Sequence, residues 1–457
     1  MQFGPSSYPE VSPGLSAERM GPFSGAASMT GEAQLPAIGT PRNDAWRRML
    51  AVILALFVAL SPLVAPVATA SDTRPAFRVE KGVNVFPFLW TPTARKNGRF
   101  LGAGYVPVES YFPLSNFSSI KAMGFDHVRL PVNVGPLVLA NADELQARAD
   151  YVFAQVDAIS ALGLKVLVDI HTPDKGRNSP YDARSLVEEP GMFDALKRVV
   201  AAFAERTASR PADRVALELF NEPQVECRTP GLWEGYLKTL VSVARHSAPN
   251  HTLIVTGSCG GGLFGLLRLD PSGFDDPNIL YSLHYYSPPE FIFQGYAPVT
   301  QDLASRYPPV FRWPANAEGA SESIAAFGQH VAELWSEPSS WGHLLSQLWK
   351  ISVYYYRGYD AGDVVQDFDK AIAWAERYDI PPTRLYLGEF GAPRPKPGLL
   401  PEYNADRLAW LSVVRKQAEA RGIPWAYWCY GSYFGLFDEV SGQQDADMLV
   451  SLGLNHP

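Results

Sequence analysis

The sequence predicts a (β/α)8 TIM barrel with an insertion after the sixth strand. Three observations carry that prediction. Short apolar runs recur eight times from residue 81 onward, helix-patterned segments lie between most of them, and no GxGxxG follows the first run. Strands alternating with helices imply a parallel sheet covered by helices. Eight units favour a closed barrel over an open doubly wound sheet, and the missing glycine fingerprint removes the main reason to expect a dinucleotide fold.

The runs are Lys81–Phe86, His127–Val132, Lys165–His171, Val215–Pro223, His251–Gly257, Ile279–Tyr286, Arg384–Gly391 and Pro424–Gly431. Helices are expected over Glu144–Gly163, Phe193–Arg206, Leu232–His246, Val364–Tyr378 and Ala405–Gly422. The first has apolar residues at Leu145, Val152, Val156 and Ile159 and ends on a glycine suited to a helix C-terminus. Residues 287–362 break the rhythm, with many aromatics among prolines and acids. They read as an insertion of short helices lying over the barrel mouth.

Residues 1–46 are rich in Ser, Pro, Gly and Ala without apolar periodicity, and read as a disordered extension. Arg47-Arg48, the apolar run Met49 to Leu60 and a closing Ala68-Thr69-Ala70 make 47–70 a signal peptide. Pro62, Pro66 and the shortness of the run speak against a full membrane span. The long segment before the arginines leaves two alternatives open: a true start downstream, at Met20 or Met29, or an uncleaved membrane anchor through 49–70. Export with cleavage is the expectation, placing the protein outside the cell or in the periplasm; the anchored alternative faces outside. Residues 71–457 are expected to form the (β/α)8 domain and to act as a monomer.

Of 457 residues, 12% are aromatic, which suits a large core or a sugar-binding cleft. The net charge of −8 and the lack of a Lys/Arg-rich run argue against nucleic acid or anionic lipid as partner. Three cysteines make no disulfide framework and show no CxxC spacing. Cys227 and Cys259 follow neighbouring strands, so a disulfide between them is open in an exported protein. Ser258-Cys259-Gly260-Gly261-Gly262 lacks the Lys-Ser/Thr of a phosphate loop and reads as a turn. Asp169 and His171 point the same way on a strand but have no third ligand nearby, so no metal site is expected.

Function in such a barrel gathers at the C-terminal strand ends. The polar residues found there are Arg129, His171, Asn221, Glu222, His284, Tyr286 and Glu389, with Trp428 beside them. Singly, each has an ordinary explanation: a core histidine, a turn glutamate, a packed tryptophan. Together they place two carboxylates, from strands four and seven, on facing sides of one ring. Paired carboxylates across a cleft are the apparatus of glycoside hydrolysis. A carboxyl at the rim of an apolar barrel is partly desolvated, which raises its pKa and suits Glu222 to donate a proton. Arg129 is expected to lower the pKa of Glu389, and Tyr286 to hydrogen-bond it. Asn221 suits a sugar 2-hydroxyl, His171 and His284 suit sugar hydroxyls or the orientation of Glu222, and Trp428 offers a face for a pyranose ring.

The set Arg129, His171, Asn221-Glu222-Pro223, His284-x-Tyr286, Glu389 and Trp428 resembles the pattern of glycoside hydrolase family 5, over roughly residues 80 to 457. The resemblance implies Glu222 as acid/base, Glu389 as nucleophile, net retention of anomeric configuration and no metal or organic cofactor. It implies a polysaccharide or oligosaccharide substrate. Gly82-Val83-Asn84-Val85 with Phe220-Asn221-Glu222-Pro223 looks most like the β-glucan-cleaving members, so an endo-β-1,4-glucanase is the expected activity. An exo-acting glucosidase, a β-mannanase, and a carbohydrate-binding or transglycosylating protein stay open as alternatives.

Overall fold

The computed structural model describes residues 77–455 apart from 97–98, 173–180, 226–228, 230, 295–309, 337, 395–401 and 438–442. The expectations for 1–46 and 47–70, and Cys227 of the possible disulfide, lie outside the described residues. Among the described residues no helix is long and apolar enough to cross a membrane.

Every predicted run holds a strand: β1 Lys81–Asn84, β2 His127–Asn133, β3 Lys165–His171, β4 Val215–Glu218, β5 Leu253–Thr256, β6 Ile279–Tyr285, β7 Leu385–Phe390 and β8 Trp425–Tyr427. They close in sequence order into a parallel barrel, sealed by β1 against β8 with Lys81 opposite Trp425. β4 stops at Glu218, five residues short of the expected Pro223. Backbone bonding continues less regularly past it, from Leu219 N to Ile254 O at 3.1 Å and from Asn221 N to Ile170 O at 3.1 Å. Asn221 and Glu222 are thereby held at the mouth.

The barrel interior is layered. At the N-terminal end Phe77 plugs a layer of Leu167, Ala216, Ile254, Leu280, Tyr386 and Ala426. Each strand residue in it sits near the start of its strand, so apolar side chains seal the bottom. One pleat higher the interior turns polar, with Arg129, Asp169, Glu218 and Ser282 all fully buried.

The helices that position the site are α1 Ser115–Ala122, α2 Ala142–Ala161, α3 Met192–Ala208, α4 Leu232–Ser247, α5 Leu263–Arg268, α6 Ala317–Ser336, α7 Trp341–Arg357, α8 Ala361–Arg377, α9 Tyr403–Ala420 and α10 Ala446–Ser451. The five predicted helices are α2, α3, α4, α8 and α9. α2 starts where it does because Asn141 Oδ1 accepts from Glu144 N at 2.9 Å while Glu144 Oε2 accepts from Asn141 N at 3.0 Å.

The insertion differs from the expectation of short helices. α6 has 20 residues and α7 has 17. They form a hairpin tied together by Ser323 Oγ on Tyr355 Oη and by stacked Trp335 and Trp341. The prolines that suggested short pieces all fall outside both helices. The hairpin's base is fixed on α9, at the barrel's flank: Arg312 Nε donates to Asp406 Oδ2 at 2.6 Å, and Trp410 Nε1 donates to Ser287 O at 2.9 Å. Phe293, at the start of the insertion, does reach the mouth, where its ring centroid lies 5.5 Å from that of Tyr286.

Candidate active site

Arg129 organises the polar layer. Its Nε donates to Glu218 Oε2 at 2.7 Å and its Nη2 to Glu218 Oε1 at 3.0 Å, a two-pronged pairing. Nη1 donates to Asn84 Oδ1 at 2.8 Å and to Glu389 Oε1 at 2.7 Å. Nη2 also reaches Asn221 Oδ1 at 2.8 Å and Asp169 Oδ2 at 3.0 Å. One guanidinium thus ties together groups from β1, β2, β3, β4 and β7 and from the turn after β4. The fixed fork with five N–H donors is what lets it do so.

Asn221 is oriented from both ends. Its Oδ1 accepts from Arg129, and its Nδ2 lies 3.2 Å from His171 Nε2. His171 Nδ1 in turn lies 2.6 Å from Asp169 Oδ2. Burial pushes the His171 imidazole down to about 4, so the neutral ring donates from Nδ1 to Asp169 and accepts at Nε2 from Asn221. His171 therefore positions Asn221, and Glu222 is held by the other histidine.

That histidine is His284, whose Nδ1 lies 2.8 Å from Glu222 Oε1 and 3.6 Å from Glu389 Oε2. Burial pushes its imidazole down to about 4 as well. Glycines let the surroundings close in. A Cβ on Gly388 would stand 2.5 Å from Ser282 Oγ and 3.2 Å from His284 Nε2. The turn Ser258–Gly262 is no phosphate loop: Gly261, at φ 71°, passes under Glu222, where a Cβ would meet Glu222 Cγ at 3.5 Å and Thr256 Cγ2 at 2.8 Å.

The two carboxylates are close. Glu222, His284 and Glu389 each bring one donor atom within 4.8 Å of the others. A cation would accept that spacing, but the donors already engage one another and their protein partners: Glu389 Oε1 takes Arg129, and its Oε2 takes Tyr286 Oη at 3.0 Å. Burial pushes the Glu389 carboxyl above its ordinary value; His284 and Arg129 pull it down, and Glu222 adds to the rise. Arg129 does lower Glu389, as expected, but the net shift is upward. Desolvation of a carboxyl that is almost wholly buried outweighs the nearby cation.

Around the carboxylates stands an aromatic wall. Trp428 stacks on the His171 ring with centroids 5.8 Å apart, Phe86 lies 5.4 Å from Trp428, and Trp90 meets His171 edge-on at 5.2 Å. Trp428 is half-buried, with part of its surface open at the mouth.

The structure brings all eight predicted residues to one end of the barrel. Sequence reading passed over Asn84, Glu218, Phe86 and Trp90. Glu218 left a signal: an acid in the middle of Val-Ala-Leu-Glu-Leu has to find a buried cation. Asp169, weighed only as a metal ligand, is instead the partner of His171 and Arg129.

A family model for cellulases of glycosyl hydrolase family 5 matches residues 114–434. The chain belongs to glycosyl hydrolase family 5. Among relatives, it is similar to Endoglucanase 3 of Fibrobacter succinogenes, 23% identical over 355 residues that make up 72% of this chain and 48% of that protein. The chain therefore spans about half the length of that relative. Cellodextrinase A of Ruminococcus flavefaciens is 23% identical over 322 residues, 69% of this chain and 77% of that protein. The family's barrel is visible in solved structures too. Thermotoga maritima Cel5A in complex with mannotriose has a TM-score of 0.58 at 21% identity, covering 83% of this chain and 98% of that one. The cellulose synthase subunit Z of Clostridioides difficile has a TM-score of 0.57 at 22% identity, covering 82% and 99%. These likenesses carry the fold of this family 5 chain.

Proposed function

We propose that this family 5 chain is a retaining endo-β-1,4-glucanase, with Glu389 as nucleophile and Glu222 as acid/base. The observation that carries the reading is the approach of Glu222 and Glu389 oxygens to within 4.8 Å. Retaining pairs stand about 5–5.5 Å apart, whereas inverting pairs leave about 6.5–9.5 Å for a water between them. In the first step a Glu389 oxygen attacks the anomeric carbon, and the bond to the leaving oxygen breaks as Glu222 protonates it. In the second step Glu222 takes a proton from water, whose oxygen displaces Glu389 from the sugar. Arg129 and Tyr286 aim the Glu389 carboxylate. His284 holds Glu222 close to the scissile oxygen. Asn221 has its carbonyl fixed by Arg129 and one amide N–H on His171, which leaves the second N–H to meet the sugar 2-hydroxyl. Trp428 offers an apolar face to a pyranose ring.

The names of the relatives, an endoglucanase and a cellodextrinase, support a glucan substrate. The Cel5A complex with mannotriose keeps mannan among the polymers to be tested. The Arg47-Arg48 flank and the apolar run after it support export, so the substrate is met outside the cytoplasm.

The test is product profiling on β-1,4-glucan, β-1,3-glucan, β-1,2-glucan and mannan. A spread of oligosaccharides from β-1,4-glucan is expected, with the β-anomer formed first. Release of only monosaccharide or disaccharide would overturn the endo reading, and an α-anomer would overturn retention.

A further inference from the structure

The hairpin of α6 and α7 has an apolar face that the fold does not use. On α7, Trp341, Leu345, Leu348, Trp349 and Tyr356 are exposed, with Leu345 at 64%, Trp349 at 68% and Tyr356 at 93%. At about 100° per residue they fall within an arc of about 100°. The side that packs inward carries Leu344, Gln347, Ile351 and Tyr354. Its centre lies about 130° round the helix from the exposed arc. Trp335 continues the exposed face onto α6, since its ring stacks on Trp341 with centroids 5.1 Å apart, and Ile324 lies on the same stripe of α6. Single exposed apolar side chains are ordinary, but a strip of them along one face, interrupted by Ser352 on α7 and Gly328 on α6, marks a binding surface.

We propose that this face docks on a lipid bilayer, with its tryptophans and tyrosines at the boundary between headgroups and acyl chains. The charge pattern fits that occupant. The 17 residues of α7 include no Asp or Glu, and its exposed cations Lys350 and Arg357 lie about 130–150° from the centre of the strip, on the polar side of the helix. On α6 the acids Glu318, Glu322 and Glu333 lie about 100–160° round the helix from the stripe through Ile324 and Trp335. Aromatic rings, aliphatic side chains and cations without acids are the composition of an interfacial helix. It meets the bilayer locally, although the chain as a whole is acidic.

Other occupants fit less well. A polysaccharide needs hydrogen-bonding groups between its stacking rings, and Leu345, Leu348 and Ile324 offer none. Trp335 and Trp341 also cover one face of each other. A second copy needs area. A helix of this length spans about 25 Å, so a strip two helices wide, about 20 Å, offers about 500 Å², short of the about 800 Å² per partner of a stable interface.

The chain outside the described fold points the same way. The apolar run Met49 to Leu60 precedes the described fold, which begins at Phe77, and its sequence supports export across a membrane. Removal of the run leaves the composition and area of the face unchanged.

The test uses residues 71–457, which contain all eight strands and the core. They are floated with vesicles of equal parts phosphatidylcholine and phosphatidylglycerol, beside a triple variant Leu345→Ser, Trp349→Ser, Tyr356→Ser. The wild-type chain is expected to float with the vesicles and to shift its tryptophan emission to the blue. The variant is expected to partition at least about tenfold less. Hydrolysis of a soluble oligosaccharide should be equal in both, which reports on the proposed activity separately. Absence of flotation, or equal flotation of the variant, would overturn the proposal. So would a dimer that the variant loses, which assigns the face to a second copy, or retention on insoluble glucan that the variant loses, which assigns it to the polysaccharide.

Discussion

Arg129 Nη1 lies 2.7 Å from Glu389 Oε1, and both side chains are all but sealed from solvent. The same guanidinium grips Glu218 with two further N–H groups. Lysine in its place would bring a charge without the fork, leaving buried carboxylates under-bonded. Arg129→Lys is therefore expected to lower the unfolding free energy by about 3–5 kcal/mol. Denaturant titration reads this directly, and a variant as stable as wild type would remove Arg129 from the centre of the site.

The two carboxylates should part company when the leaving group is changed. Glu222→Gln is expected to slow cleavage of a glucan by about 10²–10⁴-fold. It should largely spare the first-turnover burst from an aryl glycoside, whose phenolate leaves without a proton, while the second step, which needs Glu222 as base, stays slow. Glu389→Gln should lose both substrates, because no leaving group replaces a nucleophile. Equal losses in the first step on both substrates in the Glu222 variant would contradict its role as the acid.

Tyr286 Oη donates to Glu389 Oε2 at 3.0 Å. A hydrogen bond to a charged group contributes about 1.5–3 kcal/mol. Tyr286→Phe keeps the ring against Phe293 and removes that bond. A fall in kcat of about 10–100-fold is expected, with little change in Tm. An unchanged kcat would mean that the bond does not act in the rate-limiting step.

Burial pushes His284 down to about 4 from an ordinary 6.5. Between those values the unfolded chain binds a proton that the folded chain does not. Stability tied to this ring is therefore present above pH 6.5, declines as pH falls, and is gone below about pH 4. The full difference is worth about 3 kcal/mol. His284→Asn should flatten the fall in stability between pH 6.5 and 4, measured by urea unfolding across that range. A slope equal to wild type would contradict a buried, neutral imidazole.

Glu389 bears on activity in a related way. Its carboxyl sits above the ordinary value of 4.5, with burial the largest cause. Since the nucleophile has to be ionised, the acid limb of kcat/KM is expected above pH 4.5. A limb below that value would mean that Arg129 and His284 outweigh burial in solution.

Much of the architecture is legible in the chain itself. Eight apolar runs become eight strands because a strand buried on both faces has to be apolar throughout, and that property is local. Asn221-Glu222-Pro223 could be placed at a strand's end because proline cannot continue a central ladder, and the chain order of the strands then brought Glu389 to the same rim. The whole set of eight site residues was visible on those grounds.

What each residue touches was not. His171 and His284 read alike in the sequence, each at or next to the end of a strand, yet one orients Asn221 and the other holds Glu222. Which partner a ring meets depends on groups 50 and 62 residues away in the chain. The rise of Glu389 is likewise a matter of burial, which only closure of the barrel decides. Glu218 and Asn84 became partners of Arg129 for the same reason, and the length of α6 and α7 emerged only when each found the other to pack against. The sequence by itself determined the repeating strand-and-helix pattern and the residue types at its rim, because both follow from local periodicity. The tertiary structure alone decided pairing, protonation and exposure, because these depend on which distant side chains a closed barrel brings within reach.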